Sequence, residues 1–541
     1  MDSVENIQKT NLINEIFLKK KQENTLENDD KSKDSNEIPF KVKKILCPLN
    51  KSIIIYDVGL LKRGFSEDYY FINHPHVLKF LRRGNTIVEL PDNSKHIVRK
   101  GLEKFFDLDY SFIESHLKKE PIKEKKEKKS IRDIIFSGIE NAYESGNNVK
   151  IFLTEKANGE NCQISYFRPL DSWLISSKNV SILAKTRNDI ELYEKLLLEE
   201  EEQRELEKAQ KKKLTIVEEQ KSKEMGGQKK VEKKQKKEEN KVQDLKKCED
   251  EEKKIGRFSF AKLMSDEWFN LLEKIPNIEI LKHELENKTL IGEYCGNQNH
   301  QHLIKYNEIS IYFYALVNND KDNDESCFPP QKVLDFCSKY RLKNVKFQDC
   351  GSFCTFQDLN LELKKIFEKV SQATIEDMGE GCVLYFMKEK KSNDEEDHIL
   401  SLCKVKTLEY RIYRKLREKL KNFQSITEGD QEVSKPNFEN QVDIQSQRFR
   451  KETIDLCKNF KPPLDLEDYL QFGEYCMSFA KVDPKNYRII KAKYIDFLTI
   501  ALFYYFEEYK KDPEKRLQIA YFVPDNVQKI KEIKWSPYNQ N

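Results

Sequence analysis

Short apolar runs separated by polar turns fill the middle of the chain. Ser52-Ile-Ile-Ile-Tyr56 and Thr86-Ile-Val-Glu-Leu90 have the length and β-branched content of short strands. Val149 to Phe167 is strand-rich, Ser181 to Lys185 is one more short strand, and Leu290 to Tyr294 and Ile309 to Val317 are two others. The last alternates only loosely, as a strand buried on both faces does. Gly381 to Met387 and Leu402 to Thr407 complete this β-rich block. Helical spacing marks Trp268 to Lys274, then Glu409 to Leu420, then most of the stretch up to about Tyr509. The pattern predicts an α+β chain: antiparallel sheets with flanking helices, followed by a mostly α-helical C-terminal domain.

The pattern fails in three places. Residues 1–44 are polar and read as a disordered leader. Residues 190–254 are dense in Glu and Lys, lack an apolar seam, and read as a charged insertion within the domain 45–422. Residues 423–440 are a polar linker before the helical domain 441–541. The run Glu120 to Lys129 reads as a solvated surface or helix face, with a nuclear address as the alternative.

Composition adds limits rather than a direction. The 541 residues carry 96 basic and 93 acidic side chains, a net charge of +3, so only local patches can speak for nucleic acid. No run reaches the about 18 apolar residues of a membrane span, and no apolar segment follows a basic start. The 12 cysteines are scattered. These features are those of an intracellular protein, cytoplasmic or nuclear, away from membranes and with reduced thiols.

Four short elements carry the candidate chemistry, and their order matters more than any one of them. They are Thr154-Glu-Lys-Ala-Asn-Gly-Glu-Asn161, Ile291-Gly-Glu-Tyr-Cys-Gly296, Glu380-Gly-Cys-Val383 and Lys404-Val-Lys406. Lys-x-x-Gly alone is weak: about three chance occurrences are expected in a chain of this composition. Lys-x-Lys alone is one solvated face of a strand. As an ordered set, each on an expected strand, they describe a lysine nucleophile with its supporting charges. Lysine is a poor nucleophile at its ordinary pKa of about 10.4, and lowering that by three units takes about 4 kcal/mol. Neighbouring cations and a bound metal supply such a bias. Lys404 and Lys406 are the candidate cations. Glu380 and Glu293 are candidates to bind Mg²⁺ (or Mn²⁺) or to fix a ribose hydroxyl. Phe313, between Tyr312 and Tyr314, offers a flat face for a purine, with packing in the core as the alternative that such a run more often takes.

The ordered set resembles motifs I, III, IIIa, IV and V of the covalent nucleotidyltransferases, the superfamily of DNA ligases, RNA ligases and mRNA capping enzymes. Lys156-Ala-Asn-Gly159 is similar to the nucleophile motif, Glu293 to the motif III glutamate, Phe313 to the motif IIIa aromatic, Glu380 to the motif IV carboxylate, and Lys404 with Lys406 to the motif V pair. Upstream, Arg82-Arg-Gly84 followed by Gly101-Leu-Glu-Lys-Phe-Phe106 resembles a pairing in phage RNA ligase 1 and fungal tRNA ligases. The resemblance implicates Arg83 and Lys104 on the ATP phosphates, and Ser176-Ser-Lys-Asn179 similarly points to Lys178. Asp107 departs from the usual asparagine. The form of motif I is closer to the second phage ligase type, which implies Asn161, with Glu155 beside it, in ATP binding.

The resemblance implies an ATP-grasp-like nucleotidyltransferase domain and an ATP-dependent RNA ligase. Lys156 would carry AMP from ATP, with Mg²⁺ or Mn²⁺, to an RNA 5′-phosphate for sealing to a 3′-hydroxyl, as in RNA repair or tRNA splicing. No polynucleotide kinase motif is recognisable; RNA ends are the expected partners, and a separate end-healing kinase or phosphatase is a candidate one. Basic residues around Lys178, Lys185 and Arg187 are candidates to follow RNA, as are Arg488, Lys491 and Lys493 with Tyr487 and Tyr494 in the helical domain. A plain basic surface is the alternative for the first group, and a packing or partner role for the helical domain. A capping-type guanylyltransferase using GTP and a non-catalytic RNA-binding descendant are the rival readings.

Overall fold

The β-branched and aromatic runs do become strands. The computed structural model describes residues 40–60, 66–74, 78, 81–118, 126–196, 199, 257–296, 302–320, 327–389, 397–422, 435–482, 494–515 and 524–538. Its strands in chain order are β1 (Phe40–Leu46), β2 (Ile54–Leu60), β3 (Asn85–Glu89), β4 (Lys95–Lys100), β5 (Phe106–Asp107), β6 (Val149–Glu155), β7 (Glu160–Phe167), β8 (Ser172–Ser177), β9 (Ser181–Ala184), β10 (Lys288–Cys295), β11 (Ser310–Asn318), β12 (Phe347–Phe353), β13 (Gly381–Lys388) and β14 (His398–Lys406). The helices that matter to the site are α1 (Glu67–Asn73), α2 (Lys126–Glu144), α3 (Arg257–Leu272), α4 (Phe356–Gln372), α5 (Leu408–Asn422), α6 (Lys435–Leu456), α7 (Leu466–Val482) and α8 (Tyr494–Tyr504). The fold is mixed α+β, with antiparallel pairing dominant. The sheets run β1-β2-β3-β4, β11-β10-β7-β8-β9 and β12-β6-β13-β14-β5. β14 and β5 pair in parallel. No helix among the described residues is long and apolar enough to cross a membrane.

Contacts divide the chain into two compact units. The first holds Met1–Lys104, Glu160–Tyr294 and Phe313–Asn344, and therefore the first sheet and nearly all of the second. Its core includes Trp268 of α3, packed edge-on to Trp173 of β8 with ring centroids 5.3 Å apart. The two sheets are tied by a buried polar network. Arg99 of β4 is 1% exposed. Its Nε donates to Thr86 Oγ1 at 2.7 Å, its Nη1 to Ser177 O at 2.7 Å and its Nη2 to Asp57 Oδ1 at 3.2 Å. Asp57 also accepts from the Ser181 N–H at 3.0 Å. A guanidinium at this depth is tolerable only while its carboxylate stays. Asp57→Ala is therefore expected to cost about 3–5 kcal/mol of stability, read by urea denaturation. A loss under about 1 kcal/mol would show that the network does not hold the sheets.

The second unit holds Phe105–Gly159, Cys295–Tyr312 and Val345–Asn541. Its sheet is covered by α2 and α4. Ile135, Phe136 and Ile139 of α2 are fully buried, and so are Leu359, Leu363 and Val370 of α4. Thr355 caps α4 by accepting from Asp358 N at 3.1 Å. The C-terminal helices, set apart by sequence as 441–541, fall in this same unit. Tyr413, Phe449, Phe472, Cys476, Phe497 and Tyr505 form their core.

Several boundaries move. The leader ends before residue 44, because β1 begins at Phe40 and pairs with β2 in full register. The insertion starts after residue 190: residues 188–196 are helical, and Ile190 and Tyr193 are buried. The linker ends before residue 440, since α6 begins at Lys435. Part of the basic run becomes the start of α2 at Lys126. The remaining leader, residues 200–256, Tyr487, Arg488, Lys491 and Lys493 lie outside the described residues. Tyr494 is no stacking platform: it is buried, and its hydroxyl donates to Tyr413 O at 2.9 Å.

Candidate active site

Three neighbouring strands of the second unit end at one place. β6 stops at Glu155, β13 starts at Gly381 and β14 stops at Lys406. Lys156 follows β6, and its backbone N–H donates to Gly381 O at 2.9 Å. Register places Gly381 opposite Lys406. The glycine has φ +128°, and a Cβ there would lie 2.2 Å from Val405 O. Only glycine lets the two backbones approach so closely, which brings Glu380 beside Lys406.

Glu380 is the centre of this group. It is 3% exposed. Lys156 Nζ lies 3.1 Å from its Oε2 and Lys406 Nζ 3.2 Å from its Oε1. Asn158 Nδ2 donates to Oε2 at 2.7 Å. Burial pushes this carboxyl up, but the attraction of Lys156 and Lys406 outweighs it and holds the pKa at about 2. The carboxylate is therefore ionised at any ordinary pH. Lys156 keeps 20% of its side-chain surface exposed, so a solute can reach it. Lys406 also lies over the Tyr410 ring, 5.6 Å from its centroid.

Lys404 shares a face of β14 with Lys406 by strand periodicity. Its own contacts lead toward β5: Nζ is 3.5 Å from Asp107 Oδ2, 3.4 Å from Phe105 O and 5.6 Å from the Phe105 ring centroid. Asp107, noted in sequence only as a departure, thus has a charge partner. Glu155 ends β6, with its N–H donated to Lys346 O at 2.9 Å.

The remaining candidates belong to the first unit. Glu293 of β10 stands opposite Asn161 of β7 in register. Asn161 Nδ2 donates to the Tyr314 hydroxyl at 2.9 Å, and its Oδ1 accepts from Gln163 Nε2 at 2.7 Å. Two phosphate-binding candidates meet acidic residues of α1: Lys178 pairs with Glu67 at 2.6 Å and Lys104 with Asp68 at 2.5 Å. Arg83 lines a cleft of about 220 Å³ together with Lys41, Lys43, Arg82 and Lys178. Lys41 and Lys43 were hidden from sequence reading because they fell inside the supposed leader.

Phe313 is a correction. Its ring is fully buried and meets Trp268 edge-on, with centroids 6.3 Å apart. Strand alternation turns it into the core, so it offers no open face to a purine. Sequence reading also missed Asn158, Tyr306 and Tyr410. The Tyr306 hydroxyl accepts from Asn158 N at 2.9 Å and the Tyr410 hydroxyl from Asn158 Nδ2 at 3.2 Å. Burial, then Glu380, pushes the Tyr410 hydroxyl pKa up, so it stays protonated. Asn158 lies inside the Lys-x-x-Gly motif, which was its one sequence signal; Tyr306 had none.

No protein-family model matches the chain, and no curated protein matches it. Among solved structures it resembles an archaeal ATP-dependent RNA ligase (form 1) at 11% identity and TM-score 0.35, over 81% of this chain and 75% of that one. It also resembles a Naegleria gruberi RNA ligase with PPi at 9% identity and TM-score 0.28, over 70% and 98%. A lysine-to-alanine mutant of a Naegleria gruberi RNA ligase with ATP and Mn gives 10% identity and TM-score 0.26, over 52% and 54%.

Proposed function

We propose that this protein is an ATP-dependent RNA ligase that carries AMP on Lys156. The observation that supports the reading best is the buried Glu380 carboxylate with Lys156 on one oxygen and Lys406 on the other. An exposed lysine would need no such arrangement. Here a reachable amine is held at a fixed point next to a second cation.

In the first step Lys156 Nζ, having lost a proton, attacks the α-phosphorus of ATP. A P–N bond forms, the P–O bond to the β-phosphate breaks, and pyrophosphate leaves. Glu380 is a poor acceptor, given its pKa of about 2, so the two protons shed as the ammonium becomes the phosphoramidate pass to solvent, which reaches Lys156 over the 20% of its side chain that is exposed. The role of Glu380 is to hold the ammonium in place until ATP arrives. Lys406 and Lys404 then balance the charge building on the phosphate. Arg83, Lys104 and Lys178 are proposed to take the outer phosphates, and Glu155, Asn161 and Glu293 to bind the nucleoside. In the second step an oxygen of the RNA 5′-phosphate attacks the same phosphorus and the P–N bond breaks. In the third, an RNA 3′-hydroxyl attacks the activated 5′-phosphate, forming the new P–O bond and releasing AMP.

Among the described residues no three His, Cys, Asp or Glu side chains gather as a metal cage. Mg²⁺ or Mn²⁺ is the proposed ion, a kind of cation held through one or two carboxylates together with substrate phosphates. Glu380, ionised and hard, is the donor that would hold such an ion, and Glu293 is the second candidate. The ion would supply positive charge to the phosphate oxygens. RNA 5′-phosphate and 3′-hydroxyl ends are the proposed substrates, with a separate kinase and phosphatase preparing them inside the cell.

The test is incubation with α-labelled ATP or GTP and Mg²⁺, followed by peptide mapping. Label from ATP, on Lys156 alone, is the expected result. Label from GTP alone would replace this reading with the capping-type one. No label from either would leave a non-catalytic RNA-binding protein. A 5′-phosphorylated RNA strand should then be circularised at least about tenfold faster than its DNA counterpart.

A further inference from the structure

No step of that reaction uses Asn158, yet its side chain is 4% exposed and spent at both ends. Nδ2 donates to Glu380 Oε2 at 2.7 Å and to the Tyr410 hydroxyl at 3.2 Å. Oδ1 accepts from Leu303 N at 3.0 Å and Ile304 N at 3.2 Å. This orientation is forced, because backbone N–H groups only donate and an ionised carboxylate only accepts. Both ends lead to the C-terminal helices. Leu303 is buried in one cluster with Tyr413 and Phe497. Lys305 Nζ donates to Thr499 Oγ1 of α8. Tyr410 lies in the first turn of α5, and its neighbour Glu409 accepts from the Tyr469 hydroxyl of α7 at 2.9 Å.

We propose that Asn158 is a positioning residue for adenylylation: its amide fixes the Glu380 carboxylate on Lys156 and Lys406 and ties that arrangement to the C-terminal helices. The inference rests on Lys156 being the site of AMP attachment. It requires an amide rather than a carboxylate. Aspartate would keep Oδ1 and both backbone hydrogen bonds, but would set a second anion against Glu380 where the donor now stands.

The test is single-turnover labelling of the full-length protein with α-labelled ATP and Mg²⁺, with ATP varied. Asn158→Ala is expected to lower the maximal rate about 10- to 100-fold, with KM for ATP unchanged within about threefold. Asn158→Asp is expected to be as slow or slower, although it keeps the loop contacts. A role confined to holding the loop predicts the opposite order. Asn158→Asp within about threefold of wild type would therefore overturn the inference, and so would an Asn158→Ala loss confined to KM. Thermal melting checks that each variant folds. If Asn158→Asp does not fold, Asn158→Ser decides. Its short hydroxyl donor should recover at least about threefold over Asn158→Ala, and equality overturns the inference. An unlabelled wild type, or a labelled Lys156→Ala, overturns the adenylation reading and this inference with it. A labelled wild type with a fast Asn158→Asp overturns this inference alone.

Discussion

Lys156→Arg is expected to fold like the wild type and to take up no AMP. The guanidinium keeps a positive charge facing Glu380 Oε2, now held at 3.1 Å by the lysine. The burial cost of Glu380 therefore remains compensated, and the melting temperature should stay within a few degrees. What the substitution removes is the ability to shed a proton, since arginine stays charged at all working pH values. A group that cannot become neutral cannot attack phosphorus, so labelling should fall by roughly 10⁴-fold or more. Lys156→Ala should also abolish labelling but lose more stability, because Glu380 would lose one of its two ion-paired lysines. The pair separates chemistry from packing: both inactive, one stable and one weakened. Labelling of Lys156→Arg at more than about one per cent of the wild-type rate would sink the assignment.

What sequence showed of this site follows from where the signal lies. Lys156, Glu380 and Lys406 were legible because each sits at the end of a strongly β-forming run, and those runs are neighbours in one sheet, β6-β13-β14. Strand ends are where such side chains converge. Asn158 was illegible because its partners are remote: 145 residues away at Leu303, 222 at Glu380 and 252 at Tyr410. No local pattern encodes contacts at that separation. β1 was missed for another reason. Lys41, Lys43 and Lys44 interrupt Phe40–Leu46, and a strand that carries three lysines reads as solvated chain. Phe313 failed through alternation itself: aromatic residues at 312, 313 and 314 cannot all face one way, and the middle one turns inward against Trp268. Arg99 runs counter to the rule that charge stays outside, and only its partner Asp57, 42 residues away, makes its burial tolerable.

Glu380→Gln should be the most damaging isosteric change in the second unit. Glutamine has the shape of glutamate, but its amide nitrogen is a donor. Lys156, Lys406 and Asn158 all present donors to that carboxylate. At least one of them must lose its partner in a site 3% exposed, and the two lysines then repel without a shared anion. Removing one partner of a buried ion pair costs about 3–5 kcal/mol. The pH dependence carries the sharper signature. The folded pKa of Glu380 lies at about 2, below that of the unfolded chain, where a glutamate titrates near 4.3. A lowered carboxylate pKa contributes stability that is complete above the unfolded value and lost as pH falls through the folded one, a contribution of about 3 kcal/mol here. The stability gap between wild type and Glu380→Gln, measured by urea denaturation, should thus be widest above about pH 5 and narrow steadily toward pH 2. A gap that stays constant over that range would mean that the two lysines do not hold the Glu380 charge. The buried carboxylate would then lose its claim to organise Lys156.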